Sequence, residues 1–171
     1  LGTELNILNA NGEVDIPEGL LERMDIAIAS IHLPCFRDER TVENVTAAYE
    51  KVMEHPYVDI IGHPDDGRVP VDMKRLVKKA KETGTLLEVN NSSLRPEGFR
   101  VNTKENCLEM VKECKAQGVM IVLGSDSHVD TDIAEYPYAE EILKEADFPE
   151  ELIANVSLEK LKACIKHGKK L

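Results

Sequence analysis

Five short aliphatic runs are separated by segments whose apolar residues recur at helical spacing, and this alternation constrains the fold more than any other feature of the chain. The runs span residues 3–8, 25–31, 58–61, 85–89 and 119–124. Most are short β-branched or aliphatic runs, the pattern of strands covered on both faces. Thr41 precedes a stripe of Val45, Ala48, Tyr49 and Val52. Asp72 precedes Met73, Leu76, Val77 and Ala80, closed by Gly84. Thr103 precedes a stripe with Cys107, Leu108, Val111 and Cys114, closed by Gly118. Ala139, Ile142, Leu143 and Ala146 form another, and Ser157 precedes the last, with Leu158, Leu161 and Ile165 running to Gly168. A polar residue before such a stripe and a glycine after it are helix-cap signals.

Repeated strand–helix units call for parallel strands joined by helical crossovers. An open doubly wound sheet and a (β/α) barrel both satisfy this. The phosphate-cradling GxGxxG and P-loop signatures of the open fold are absent from the sequence. Five strands are too few to close a barrel, and a strand begins almost at Leu1. The expectation is therefore an incomplete barrel whose first strands precede Leu1. Unpaired strand edges in such a piece could support a homo-oligomer.

With 171 residues the chain suits one domain with a real core. Its net charge of -11 opposes non-specific nucleic-acid binding, which relies on phosphate neutralisation, and suits a site that gathers divalent cations. No apolar run approaches the roughly 20 residues that span a bilayer, and no basic-then-apolar leader is seen, so no membrane partner is expected. Of the cysteines Cys35, Cys107, Cys114 and Cys164, none forms a CxxC. All read as packed thiols in a reducing cytoplasm, Cys35 included despite its closeness to His32.

Three histidines, His32, His63 and His128, each follow an aliphatic run, and Asp126 stands two residues before the last. Strand ends are where barrels place ligands and catalytic groups, and converging His and carboxylate side chains are a metal signature. Glu4 would reach the same rim from the first strand, and Glu88 is another carboxylate in an apolar run that could join the site or pair with a cation. His55 falls at a helix end, where a positive ring suits the dipole, and His167 lies in a Lys/Gly-rich tail and reads as solvated. The donor set suits zinc, manganese or iron. Arg37, Arg68, Arg95 and Arg100 lie in loops after strands and could fork onto a phosphate, Arg68 and Arg100 first. Asn90, Asn91, Ser92 and Ser93 offer uncharged donors at the rim or cap the turn.

The segments Gly2-Thr-Glu-Leu-Asn6, Ile28-Ala-Ser-Ile-His32, Asp59-Ile-Ile-Gly-His-Pro64, Glu88-Val-Asn-Asn-Ser-Ser93 and Leu123-Gly-Ser-Asp-Ser-His128 together resemble the PHP (polymerase and histidinol phosphatase) family, in its stand-alone bacterial phosphatase branch. The resemblance runs through the whole chain in order. It implies that residues 1–171 form the carboxyl-terminal majority of one PHP domain, a distorted seven-stranded (β/α) barrel with up to three metal ions at its mouth. The implied ligands here are Glu4, His32, His63, Asp126 and His128, with Asp126 placed to bridge two ions. An amino-terminal His-x-His strand and two further histidines of the family pattern have no counterpart in this sequence. Asp65 replaces the glycine that similar proteins tend to carry after His-Pro, so the loop 65–68 is expected to differ in substrate contacts or metal access. The implied activity is hydrolysis of a small phosphomonoester by a metal-activated water. A PHP-type nuclease and an inactive metal-binding fragment are the alternatives.

Overall fold

The computed structural model of the chain describes residues 1–166, so His167 and Gly168 lie outside the described residues. Five strands, β1 (Gly2–Asn6), β2 (Ile26–Ser30), β3 (Ile60–Ile61), β4 (Leu86–Asn90) and β5 (Ile121–Gly124), form one parallel sheet in the order 1-2-3-4-5. A doubly wound sheet reverses its order at a switch point; this sheet has no reversal. It is also open, with β1 and β5 at its edges, so the described strands form an open sheet rather than a closed barrel.

β2, β3 and β5 are shorter than the runs that contain them, while β1 begins one residue early at Gly2 and β4 ends one residue late at Asn90, and the strand ends have local reasons. The Asp15 carboxylate takes the Asn6 N–H at 2.8 Å, and Ile7 turns to bridge Val14, so β1 stops at Asn6. Asp59 uses a side-chain oxygen to accept the Ala27 N–H at 2.9 Å ahead of β3. The Val119 N–H closes the preceding helix on the Cys114 carbonyl before β5 begins.

The crossovers include α1 (Glu18–Leu21), α2 (Val42–Met53), α3 (Met73–Thr83) and α4 (Thr103–Gln117), and α5 (Pro137–Glu145) follows β5. Their apolar faces join Leu5, Ala27, Ala29, Ile61, Leu87, Val89 and Ile121 in one core on one side of the sheet. Thr41 and Asp72 cap α2 and α3 as expected, accepting from the Asn44 and Arg75 N–H groups. Thr103 is the first residue of α4 rather than its cap; Asn102, in a left-handed conformation, precedes it. The last helix, α6 (Leu158–Cys164), stops short of Gly168 because Ile165 turns extended. It does not join the crossover layer. Leu161, Cys164 and Ile165 pack with Ala154 on Ile60, Leu86 and Val122, covering the amino-terminal half of the opposite sheet face. The carboxyl-terminal half of that face carries Glu4, Asn6, Ser30, Glu88 and Asn90. No described helix is long and apolar enough to cross a membrane.

Candidate metal centre

Period-two alternation places Glu4 and Asn6 on one face of β1, and Ser30 and His32 on the same face at the end of β2. Register aligns Asn6 with Ser30, so the four side chains meet at one corner. His63 reaches it from beyond β3 with φ of 31°, an uncommon left-handed backbone for a residue with a side chain.

Glu4, His32 and His63 together offer three ligand atoms within 4.8 Å of one another. The triangle is tighter than that limit: Nε2 of His63 lies 3.3 Å from Nε2 of His32 and 3.3 Å from Oε1 of Glu4, and the His32–Glu4 edge is 3.5 Å. A tetrahedral zinc ion with bonds of about 2.0–2.1 Å separates its ligand atoms by about 3.3–3.4 Å, so the donor set fits such an ion in both chemistry and spacing. His32 Nδ1 stands 2.7 Å from Asn6 Oδ1, which can only accept, so the proton sits on Nδ1 and the Nε2 lone pair faces the cluster. Burial, followed by the neighbouring His63, lowers the His32 pKa and favours the neutral, ligating ring. The hydrogen bond from His63 holds the Glu4 carboxyl down at about 2, against burial, and the Ser30 hydroxyl at 2.6 Å adds to it.

Asp126 and His128 are not part of this triangle. Asp126, with φ of 47°, lines a second cavity of about 240 Å³ with Glu4, Glu88, Asn90 and Gly124. Its Oδ2 accepts from Arg100 Nη1 and from Asn90 Nδ2, each at 3.2 Å. His128 is exposed, with Nδ1 3.2 Å from the Asp126 carbonyl.

Beside the triangle lies a cavity of about 330 Å³, lined by Asn6, His32, His63, Arg68 and Arg100 with an apolar wall of Ile31, Leu33, Pro34 and Phe99. Arg68 is clamped by Asp66, with contacts of 2.6–3.1 Å. Arg100 is anchored by the Ser93 hydroxyl at 2.8 Å. Both guanidinium groups stand over the exposed Phe99 ring, at 5.0 and 5.2 Å. Cys35 also lines this cavity, half-buried. Arg37 and Arg95 turn elsewhere, towards Glu13 and Asp132. Asn91 is not a rim donor; its Oδ1 accepts the N–H groups of Tyr138 and Ala139 and caps α5. Asp65 is buried beneath the site, where neither carboxylate oxygen finds a hydrogen-bond partner and burial pushes its pKa up to about 7. A further cavity of about 320 Å³ opens at the amino-terminal ends of the strands, near Thr85 and Met120, away from these groups.

Asn6 and Ser30 were not singled out from the sequence. The signal was available: each stands two residues from a candidate ligand on its own strand and so shares its face.

No family model matches the chain. Over 170 residues it is 45% identical to a protein of Clostridium novyi named as a probable phosphatase, covering 99% of this chain and 68% of that protein. Probable phosphatases of Thermoanaerobacter sp. and Acetivibrio thermocellus are 39% and 41% identical, over 99% and 98% of this chain and 68% of each relative. Among solved structures, histidinol phosphate phosphatase from Lactococcus lactis, determined with zinc, L-histidinol and phosphate, superposes with a TM-score of 0.52 at 16% identity. That match covers 74% of this chain and spans 58% of the other, a likeness of fold.

Proposed function

Because this chain belongs to the bacterial family of these probable phosphatases, we propose that it carries the metal site of a PHP-type phosphoesterase that hydrolyses a small phosphomonoester. The observation that carries the reading is the Glu4–His32–His63 triangle, with edges of 3.3–3.5 Å, set against a cavity that holds two guanidinium groups. In this reading Glu4, His32 and His63 hold one divalent ion, with zinc the first choice and manganese or iron sharing the donor chemistry. Asp126 and His128 belong to further ion positions along the same rim. The sequential strand order is that of a barrel wall, and closure into a distorted (β/α) barrel of one PHP domain is part of the proposal.

A divalent ion held there supplies a water of lowered pKa and a Lewis acid for the phosphoryl oxygen. The side chains do the rest. Asn6 keeps the His32 proton on Nδ1, away from the ligand position. Arg68, whose Nε–Nη2 edge is held by Asp66, and Arg100, held through Nη1 by Ser93, turn their remaining guanidinium N–H groups to the phosphate. Leu33, Pro34 and Phe99 wall the space left for the organic group, which the cavity of about 330 Å³ limits to a small molecule.

Metal analysis and a p-nitrophenyl phosphate assay, with single-stranded DNA beside it, test the reading. Bound zinc or manganese and phosphate release without DNA cleavage are expected. A protein that takes up neither metal and releases no phosphate refutes it, and DNA cleavage alone favours the nuclease. Given the ligands in the Lactococcus structure, histidinol phosphate is the first natural substrate to assay.

A further inference from the structure

Glu88 is the one carboxylate at the rim whose place is carved out by its neighbours. It projects from the middle of β4 onto the same face as Glu4 and is 6% exposed. On either side the chain has glycine. A Cβ at Gly124 would stand 1.9 Å from Glu88 Oε1 and 2.8 Å from its Cδ; a Cβ at Gly62 would crowd Ser30 Oγ at 2.2 Å and meet Glu88 Oε2 only at an ordinary 3.5 Å. The Gly124 contact is far inside any distance that real Cβ atoms adopt, so the position of the carboxyl depends on that residue remaining glycine.

The carboxyl uses that position to hold backbone. Its Oε2 accepts the His63 N–H at 2.8 Å and Asn90 Nδ2 at 3.1 Å. The same Asn90 nitrogen reaches Asp126 Oδ2 at 3.2 Å. His63 and Asp126 both have positive φ, a conformation that costs free energy for residues with side chains and persists where surrounding contacts fix it.

We propose that Glu88 is a positioning residue, anchoring the His63 backbone directly and Asp126 through Asn90, so that both side chains are aimed before an ion arrives. The inference rests on the metal-site reading above for its consequence, but the anchoring itself is a property of the metal-free protein.

The test pairs two readouts on the chain. Zinc affinity is measured by chelator competition, and exchange of the His63 amide is followed by NMR without metal. Glu88→Ala is expected to weaken zinc binding about 10–100-fold, the usual effect of removing a partner that orients a ligand, and to accelerate His63 exchange. Glu88→Gln keeps an acceptor for the His63 N–H and is expected to stay within about threefold of the parent, a rescue that simple loss of packing would not give. Gly124→Ala leaves Glu88 chemically intact but displaces it, and is expected to follow Glu88→Ala; it decides the matter if Glu88→Ala does not fold. A folded Glu88→Ala or Gly124→Ala protein with parental zinc affinity and parental His63 exchange overturns the proposal. If the parent chain binds no zinc, the metal reading fails, and the exchange rates alone then decide for or against the anchoring.

Discussion

Asn6 decides which nitrogen of His32 is free, and a substitution there separates metal chemistry from folding. Asn6→Ala removes the acceptor 2.7 Å from Nδ1 and lets the ring turn and change tautomer. Zinc affinity by chelator competition is expected to fall about 10–100-fold. Asp65 behaves in the opposite sense. Its buried carboxyl has no hydrogen-bond partner among the described residues, so Asp65→Ala removes a desolvation penalty. The variant is expected to gain about 1–3 kcal/mol in urea unfolding. The buried thiols give a pH signature. Burial raises the Cys107 pKa and pushes Cys114 up to about 12 from an ordinary value of 9. A pKa raised on folding favours the folded state below the unfolded value and loses that contribution as pH rises through the folded one. Stability is therefore expected to decline between pH 9 and about 12, and neither thiol should react with a disulfide reagent at pH 8 until urea is added. At this scale His32 and His63 were legible because each ends an aliphatic run. Asn6 and Ser30 were not, because a polar residue at a strand end also reads as the start of a turn.

Helices α2, α3 and α4 follow their apolar stripes closely, since three to four turns give the helical period room to show. α1, with four residues, has no period to read, and β3, with two paired residues, is fixed by its neighbours rather than by its own pattern. The cap of α5 was hidden for another reason: its acceptor, Asn91, comes from the far end of β4, 47 residues before Tyr138 in sequence. Asn91→Ala leaves two helix N–H groups without that acceptor. It is expected to cost about 1–2 kcal/mol in urea unfolding while zinc affinity stays parental. Loss of affinity would instead tie the β4–α5 contact to the metal corner.

Across the whole molecule, the parallel sheet was foreseeable from the alternation of patterns, whereas the placement of α6 was not. Its stripe looks like any crossover, and only three-dimensional packing shows that it covers the opposite face. The two sheet edges differ as well. Beside β5, Ile153 makes a parallel bridge to Ile121, and the Asn155 amide accepts the Leu123 N–H at 3.0 Å and donates to its carbonyl at 2.9 Å. One side chain thus occupies the backbone groups that an incoming strand would use. β1 has no strand on its outer side among the described residues. For residues 1–171 as a separate polypeptide, growth of the sheet would therefore be one-ended, whereas strands supplied upstream of Leu1 would cover β1. Two copies meeting edge to edge at β1 about a twofold axis would consume the open edge of both and leave nothing for a third. Self-association, resisted by the net charge of -11, is expected to appear only at high salt and to stop at two chains in sedimentation velocity. Asn155→Leu unseals the far edge, and with two open sides the same chain is expected to run on into polymers of indefinite length.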